Sequence, residues 1–285
     1  MNIFHTIITR PLGILLMWLY ELIGSYGLTI ILFTVAFRLI MFPLQLKSKR
    51  STLKMTKIQP QVQAIQKKYQ NNPQKMNEEI QKLYRSENIS MMSGCLPMLL
   101  TLPLMICLYY AVTRPLTFMM GLGEDTILQI AETLDFTITS MYTDQIPLAN
   151  LITQHFDEVK HISPLIVPMD FTFLGMDLSL TPSISNPSLL WIIPLLSGGS
   201  ALFSSWFSMR RNPAQQQVNG SMKMMLYFMP LMSVYFAFIL PAGVGVYWIV
   251  GNVMMVVQEA VLTAYLNWQE KRHPQPETKP KKGAK

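Results

Sequence analysis

Apolar residues dominate five stretches of this chain, each near the roughly 20 residues needed to cross a hydrocarbon core about 30 Å thick. They fall at residues 27–46, 95–112, 189–209, 222–240 and 243–262, and predict five transmembrane helices in an all-α integral membrane protein. Between the first two the pattern becomes helical periodicity in a polar background. Ile58, Val62, Ile65 and Tyr69 recur at intervals of four, three and four, and Met76, Ile80 and Leu83 repeat the rhythm. Asn71-Asn72-Pro73 separates the two runs as a turn, with Pro73 suited to the first position of a second helix, so residues 47–94 predict a helical hairpin. Residues 1–26 hold only a short apolar run, 14–20, after Arg10-Pro11, with neither a small-residue cleavage site nor a nearby cysteine. They read as an uncleaved amphipathic helix lying in the interface, anchored by Trp18 and Tyr20; a sixth span or a signal is the alternative. Residues 113–188 are mixed, with short helices predicted at 126–134 and 148–156.

Composition agrees with lipid as the main solvent: half of the 285 residues are apolar and 14% are charged, against about 25% charged in soluble domains. The distribution of charge orients the chain. The hairpin carries ten Lys and Arg against Glu78, Glu79 and Glu87, whereas residues 113–188 carry Arg114 and Lys160 against nine acids. The link 210–221 has only Arg210 and Arg211, and the tail 263–285 ends in Lys279, Lys281, Lys282 and Lys285. By the positive-inside rule the hairpin, the 210–221 link and the C-terminus are cytoplasmic, and the N-terminus and the acidic loop are outside. The hairpin's wide basic face is either a solvated surface or a docking site for acidic partners, anionic lipid headgroups or ribosomal RNA. The Pro- and Lys-rich tail is expected to stay near anionic lipid.

Within the apolar stretches one residue stands out. Arg38 is the twelfth of twenty residues in the first span, near mid-bilayer, where an arginine costs roughly 2.5 kcal/mol or more. On an ideal helix Thr34, Arg38, Gln45 and Lys49 fall within about 60° of one another. Ser197, Ser200, Ser204 and Ser208 form a similar face in the third span, and Trp248, Asn252 and Glu259 in the fifth. Three polar faces predict a shared hydrophilic groove around Arg38, open to the cytoplasm and lined by Arg38, Thr34, Gln45, Ser197, Ser200, Ser204, Trp248 and Asn252. The alternatives are serines that merely permit close helix packing, and an Arg38 that is a structural partner of Glu259. The 22 methionines suit either a surface accepting many apolar sequences or ordinary core filling.

Conventional catalytic signatures are missing. There is no phosphate-binding G-x-x-x-x-G-K-[ST] loop, no HExxH and no nucleophile–base set. His155 and His161, six residues apart, fall on different helical faces, and Cys95 and Cys107, about 18 Å apart along one helix, cannot pair. No cofactor or metal is expected, and DNA is not an expected partner.

The residues Phe37-Arg38-Leu39-Ile40-Met41-Phe42-Pro43-Leu44 ahead of a basic hairpin, Ser93-Gly94-Cys95-Leu96-Pro97-Met98-Leu99, Phe173-Leu174-Gly175-Met176-Asp177-Leu178, Met222–Pro230 and Leu240-Pro241-Ala242-Gly243 with Tyr247-Trp248-Ile249-Val250 closely resemble YidC-type membrane protein insertases, in order along residues 25–268. The resemblance implies a five-helix core around a hydrophilic groove closed outward, an arginine at position 38 that contacts clients, and insertion of small membrane proteins alone or beside the Sec translocon. The serine at 204 stands where the family often has glutamine, and residues 116–168 look like an insertion relative to compact members. Lack of a large external domain resembles Gram-positive members, without their N-terminal lipobox. The expected function is thus a nucleotide-independent insertase and chaperone, not an enzyme, with nascent membrane proteins, the translating ribosome, the Sec translocon and anionic lipids as partners. The competing expectation is a small ion or solute transporter with a buried arginine in its pathway; an odd helix count without visible inverted repeats argues against it.

Overall fold

The computed structural model of the protein describes residues 9–87, 96–211 and 220–272. Helix α1 (Arg10–Ile23) has Pro11 in its first turn, where a missing N–H breaks no helical bond. It stops at Gly24, whose φ of 70° brings its N–H to the Tyr20 carbonyl at 2.7 Å. Helix α2 (Tyr26–Ile40) and helix α3 (Phe42–Lys68) meet at a 56° bend. Pro43 is the physical cause: it has no N–H for the Leu39 carbonyl and its ring crowds that oxygen. The expected continuous span over residues 27–46 is therefore two helices, and its inner end belongs to the same helix as the first arm of the hairpin.

That arm turns back through Asn72, whose side chain accepts from the Lys75 N–H at 3.1 Å, into α4 (Pro73–Ser86). Ile58 and Val62 are buried between the arms against Met55, Ile80, Leu83 and Tyr84. This small core satisfies the apolar stripe of each helix and leaves the basic faces exposed.

Helix α5 (Leu96–Thr113) leads into the acidic segment: α6 (Pro115–Phe118), α7 (Glu124–Thr133), α8 (Gln145–Gln154), α9 (Phe156–Val159) and the two-residue strands β1 (Thr172–Phe173) and β2 (Met176–Asp177). The strands pair Thr172 with Asp177 and Phe173 with Met176 around Leu174 and Gly175, both at positive φ as a tight hairpin turn requires. The segment shares one core with the apolar helices. Ile127, Ile130, Leu148 and Ile152 are buried with Leu16 and Tyr20 of α1, Tyr26 and Phe33 of α2, and Leu104 and Leu108 of α5. Two contacts need glycine: a Cβ at Gly13 would lie 1.8 Å from the Phe118 carbonyl oxygen, and one at Gly27 would lie 2.2 Å from the Phe173 ring. The Tyr20 hydroxyl adds a polar tie, accepting from the Asp170 N–H at 2.8 Å.

After a 3₁₀ turn at Leu189–Trp191 come α10 (Ile192–Arg211), α11 (Gly220–Ile239) and α12 (Ala242–Arg272). The start of α12 is pinned to the acidic segment by hydrogen bonds from the Ala242 and Gly243 N–H groups to the Leu180 and Leu178 carbonyls, each 2.8 Å. It continues ten residues beyond the expected span end at 262, because nothing from Thr263 to Arg272 breaks a helix. On its outer side Val253, Val257, Val261 and Tyr265 form an exposed apolar row at a spacing of four, and on α10 Leu195, Leu202 and Trp206, at spacings of seven and four, are likewise exposed. Such rows suit lipid as solvent. By length and composition, Leu189–Arg211 and Ala242–Gln269 can cross a membrane among the described residues, and the bent pair Tyr26–Ile40 and Phe42–Lys68 makes a third if taken as one span. Leu104–Thr113 and Pro230–Ile239 are shorter apolar stretches. The architecture is an all-α membrane protein with one small β-hairpin among the described residues. Cys95 and the tail from residue 273 lie outside the described residues.

Candidate functional site

Arg38 sits in the last turn of α2, just before the bend. Its guanidinium is directed at α12, where Gly251 makes room for it: a Cβ there would be 3.1 Å from Nη2. Tyr247, one turn earlier on the same face of α12, lies within its electrostatic reach. Among the described residues the Arg38 side chain has no hydrogen-bond or carboxylate partner, and its Nε is fully buried without an acceptor. A buried N–H of a charged group is costly unless met by water or a bound polar group.

The carboxylate that α12 offers goes elsewhere. Glu259 pairs with Lys49 of α3, with the two side chains 15% and 7% exposed, so the sequence-based alternative of an Arg38–Glu259 pair is replaced by a Lys49–Glu259 pair. The physical reason is the bend, which carries Lys49 back toward α12 beyond the reach of a straight helix. Gln258 donates to the Arg38 carbonyl at 2.8 Å, and Arg50 donates to Gln269 at 3.1 Å, so α12 grips both sides of the bend. The Arg38 carbonyl matters because Met41 and Pro43 interrupt the regular ladder beyond it.

The remaining predicted residues divide into groups. Thr34 is fully buried and its hydroxyl donates to the Ile30 carbonyl at 2.7 Å, inside its own helix. Gln45 lies on α3 past the bend, so the expected stripe of Thr34, Arg38, Gln45 and Lys49 is broken after Arg38. The Gln45 side chain makes no hydrogen bond among the described residues. Ser197, Ser200 and Ser204 line the packing seams of α10. Ser197 Oγ is 3.2 Å from Ser233 Oγ of α11, Ser200 accepts from Asn252 Nδ2 at 3.1 Å, and Ser204 donates to the Ala201 carbonyl at 3.0 Å. Ser204 is buried, so its hydroxyl serves the helix and does not face open space. Close packing of α10 is also served by Gly198 against Val234 and by Gly245 of α12 against Ile193. Trp248 is half-buried, its ring 6.1 Å from Phe236 of α11.

The structure thus gathers Arg38, Tyr247, Gly251, Asn252 and Ser200 around one level of α12, with Arg38 on one side of that helix and the Asn252–Ser200 bond on the adjacent side. Gly251 and Gln258 did not figure in the sequence reading, and Tyr247 figured there only as part of the motif Tyr247-Trp248-Ile249-Val250. Their signal was present: on α12 they fall within about 40° of one another, a face carrying a glycine four residues after a tyrosine.

Comparison with known proteins now bears on this arrangement. Residues 18–270 match the family model described as 60Kd inner membrane protein. The chain belongs to this family. A membrane protein insertase YidC of Treponema denticola is 31% identical over 249 residues, covering 85% of this chain and 35% of the relative. The membrane protein insertase YidC 2 of Listeria innocua is 28% identical over 260 residues, covering 90% of this chain and 70% of the relative, and the YidC of Oceanobacillus iheyensis is 28% identical over 270 residues, with 92% and 84% covered. The chain therefore spans about a third of the Treponema denticola relative's length and most of the other two. Arg38, the bend and the α12 face that meets them all lie inside the family match.

Proposed function

We propose that the protein is a membrane protein insertase and chaperone that admits the polar part of a client to a hydrophilic groove beside Arg38 while the client's apolar segment moves into lipid. The observation that carries this reading is the buried Nε of Arg38, without a hydrogen-bond partner among the described residues, in a guanidinium whose Nη2 faces Gly251. A fixed cation in low dielectric attracts acidic client residues, and hydration around it shortens the hydrocarbon path of polar groups. Apolar burial, about 0.8 kcal/mol per CH₂, supplies the driving force without nucleotide.

In this reading the chain has five spans, the three given above plus α5 and α11. The N-terminus and the acidic segment are outside, and the hairpin and C-terminus are cytoplasmic. The basic hairpin receives the translating ribosome and anionic lipid, and the protein works alone or beside the Sec translocon. The names of the relatives and the charge asymmetry of the loops support this arrangement.

The test is photo-crosslinking during translation of a small single-span client. The structure selects positions 248 and 252, since Thr34 and Ser204 are sealed inside helix contacts. Client adducts at both positions, reduced by Arg38→Ala and restored by Arg38→Lys, are expected. Adducts to lipid or scaffold alone would overturn the groove.

A further inference from the structure

Away from Arg38, the acidic segment and α1 enclose a cavity of about 620 Å³ whose wall carries two arginines, Arg10 and Arg114. Arg114, at the junction of α5 and α6, lies over the Tyr142 ring at 3.4 Å and the Tyr110 ring at 4.8 Å. Its guanidinium faces are thereby stacked, while among the described residues its N–H groups make no hydrogen bond and neither arginine has an ion-pair partner. A planar fork fixed by its faces and open at its edges is suited to bidentate capture of phosphate oxygens. Gln145, also in the wall, is committed: its amide binds the Thr117 N–H and hydroxyl, which holds the α6 side of the cavity in place.

We infer that this cavity binds the phosphodiester headgroup of a membrane phospholipid from the outer leaflet. Two observations choose a lipid over free phosphate. Glu124 stands in the same wall, so the two arginines and one glutamate leave a single net positive charge, matched to a monoanionic diester and not to a dianionic phosphate. Arg10 of the cavity wall also heads an exposed apolar row on α1: Ile14, Trp18 and Leu22, 55%, 57% and 71% exposed, repeat every four residues from it. Acyl chains lying along that row place the headgroup at Arg10 and Arg114. The bound lipid ties α1 to α6, α7 and α8, which otherwise meet mainly through the buried core.

The inference rests on the external placement of the acidic segment, which labelling of Asp125→Cys by a membrane-impermeant thiol reagent from outside the cell tests separately. The site itself is tested by native mass spectrometry of the full chain in detergent, titrated with dihexanoyl-phosphatidylglycerol, dihexanoylglycerol or inorganic phosphate. The charged lipid is expected to bind, with Arg114→Gln and Arg10→Gln each weakening it about tenfold, and Arg114→Lys weakening it less. Arg10 is exposed and makes no hydrogen bond among the described residues, so Arg10→Gln reports on binding even where an Arg114 variant is misfolded. Unchanged lipid affinity in Arg10→Gln and Arg114→Gln would overturn the site. Binding of phosphate as tight as that of the lipid would overturn the lipid as its occupant.

Discussion

Removing one end of the Lys49–Glu259 pair leaves the other charge buried, which makes this contact the most demanding test of how α12 holds the bend between α2 and α3. Lys49 is 7% exposed and Glu259 15%, so neither can turn fully into water without moving a helix. Loss of one partner from a buried pair costs about 3 to 5 kcal/mol, whereas replacing both with apolar groups of similar volume is often near neutral. Glu259→Leu and Lys49→Met are therefore each expected to destabilise the purified protein by about 3 kcal/mol. The double variant should lose about 1 kcal/mol or less, so the two single effects together exceed the double effect by about 5 kcal/mol, above the roughly 0.5 to 3 kcal/mol usual for groups in contact because each single variant leaves a charge buried. At about 2 to 4 °C per kcal/mol for a chain of this size, each single variant melts roughly 6 to 12 °C lower and the double variant within a few degrees of the parent. The assay is thermal unfolding of all four proteins in one detergent, followed by circular dichroism with size-exclusion retention as a check on aggregation. Additive single effects, with coupling under about 0.5 kcal/mol, would refute the argument that this pair clamps the bend.

Three further outcomes follow from the geometry. Gly13→Ala places a methyl 1.8 Å from the Phe118 carbonyl oxygen, which is backbone and cannot turn aside; a loss of about 2 kcal/mol or more is expected in the same melt, from overpacking at the α1–α6 contact. Gly251→Val pushes against Nη2 of Arg38, so client crosslinking at position 252 should fall severalfold while the melting temperature changes by only a few degrees. Asp144 accepts from the Ser140 and Thr139 N–H groups and from the Thr143 and Thr139 hydroxyls, which hold its carboxyl down at about 2 from the ordinary 3.8. Because the folded value is the lower one, its stabilisation of the 139–144 turn is complete above about pH 4 and is lost as the pH falls through 2. Protection of the Thr139 and Ser140 amides, read as exchange relative to the intrinsic rate at each pH, should fall as the pH drops across that interval, and Asp144→Asn should abolish that change.

How legible was this molecule in its sequence? The apolar rows on α10 and α12 and the stripe of the hairpin could be read directly, because lipid and a two-helix core each impose a simple period on side chains. The bend at Met41 was announced by Pro43 and still escaped a reading that weighed hydropathy over a whole span. That one break explains why Gln45 departs from Arg38 and why Lys49 reaches Glu259. The serine face of α10 was visible as a face, but periodicity cannot say whether a face meets water or a neighbouring helix. The pairing of Ser197 with Ser233 and of Ser200 with Asn252 depends on which helices are adjacent. Residues 116–168 show the same limit: their short helices were locally predictable, yet their burial against α1 joins positions more than a hundred residues apart. Gly251 was overlooked, and Tyr247 was not placed beside Arg38, because neither is charged, although a small residue facing an arginine is what a wide guanidinium requires.

The central claim is that the depth of Arg38 is hydrated and reachable from the cytoplasm. It is tested most directly by replacing Arg38 with cysteine in a Cys95→Ser, Cys107→Ser background and measuring its reaction with a small charged methanethiosulfonate added to inside-out vesicles, against that background alone. The account predicts modification within minutes at position 38 and its slowing when a client is held in the groove. A thiol that stays unreacted from the cytoplasmic side, in a protein that remains folded, would contradict it.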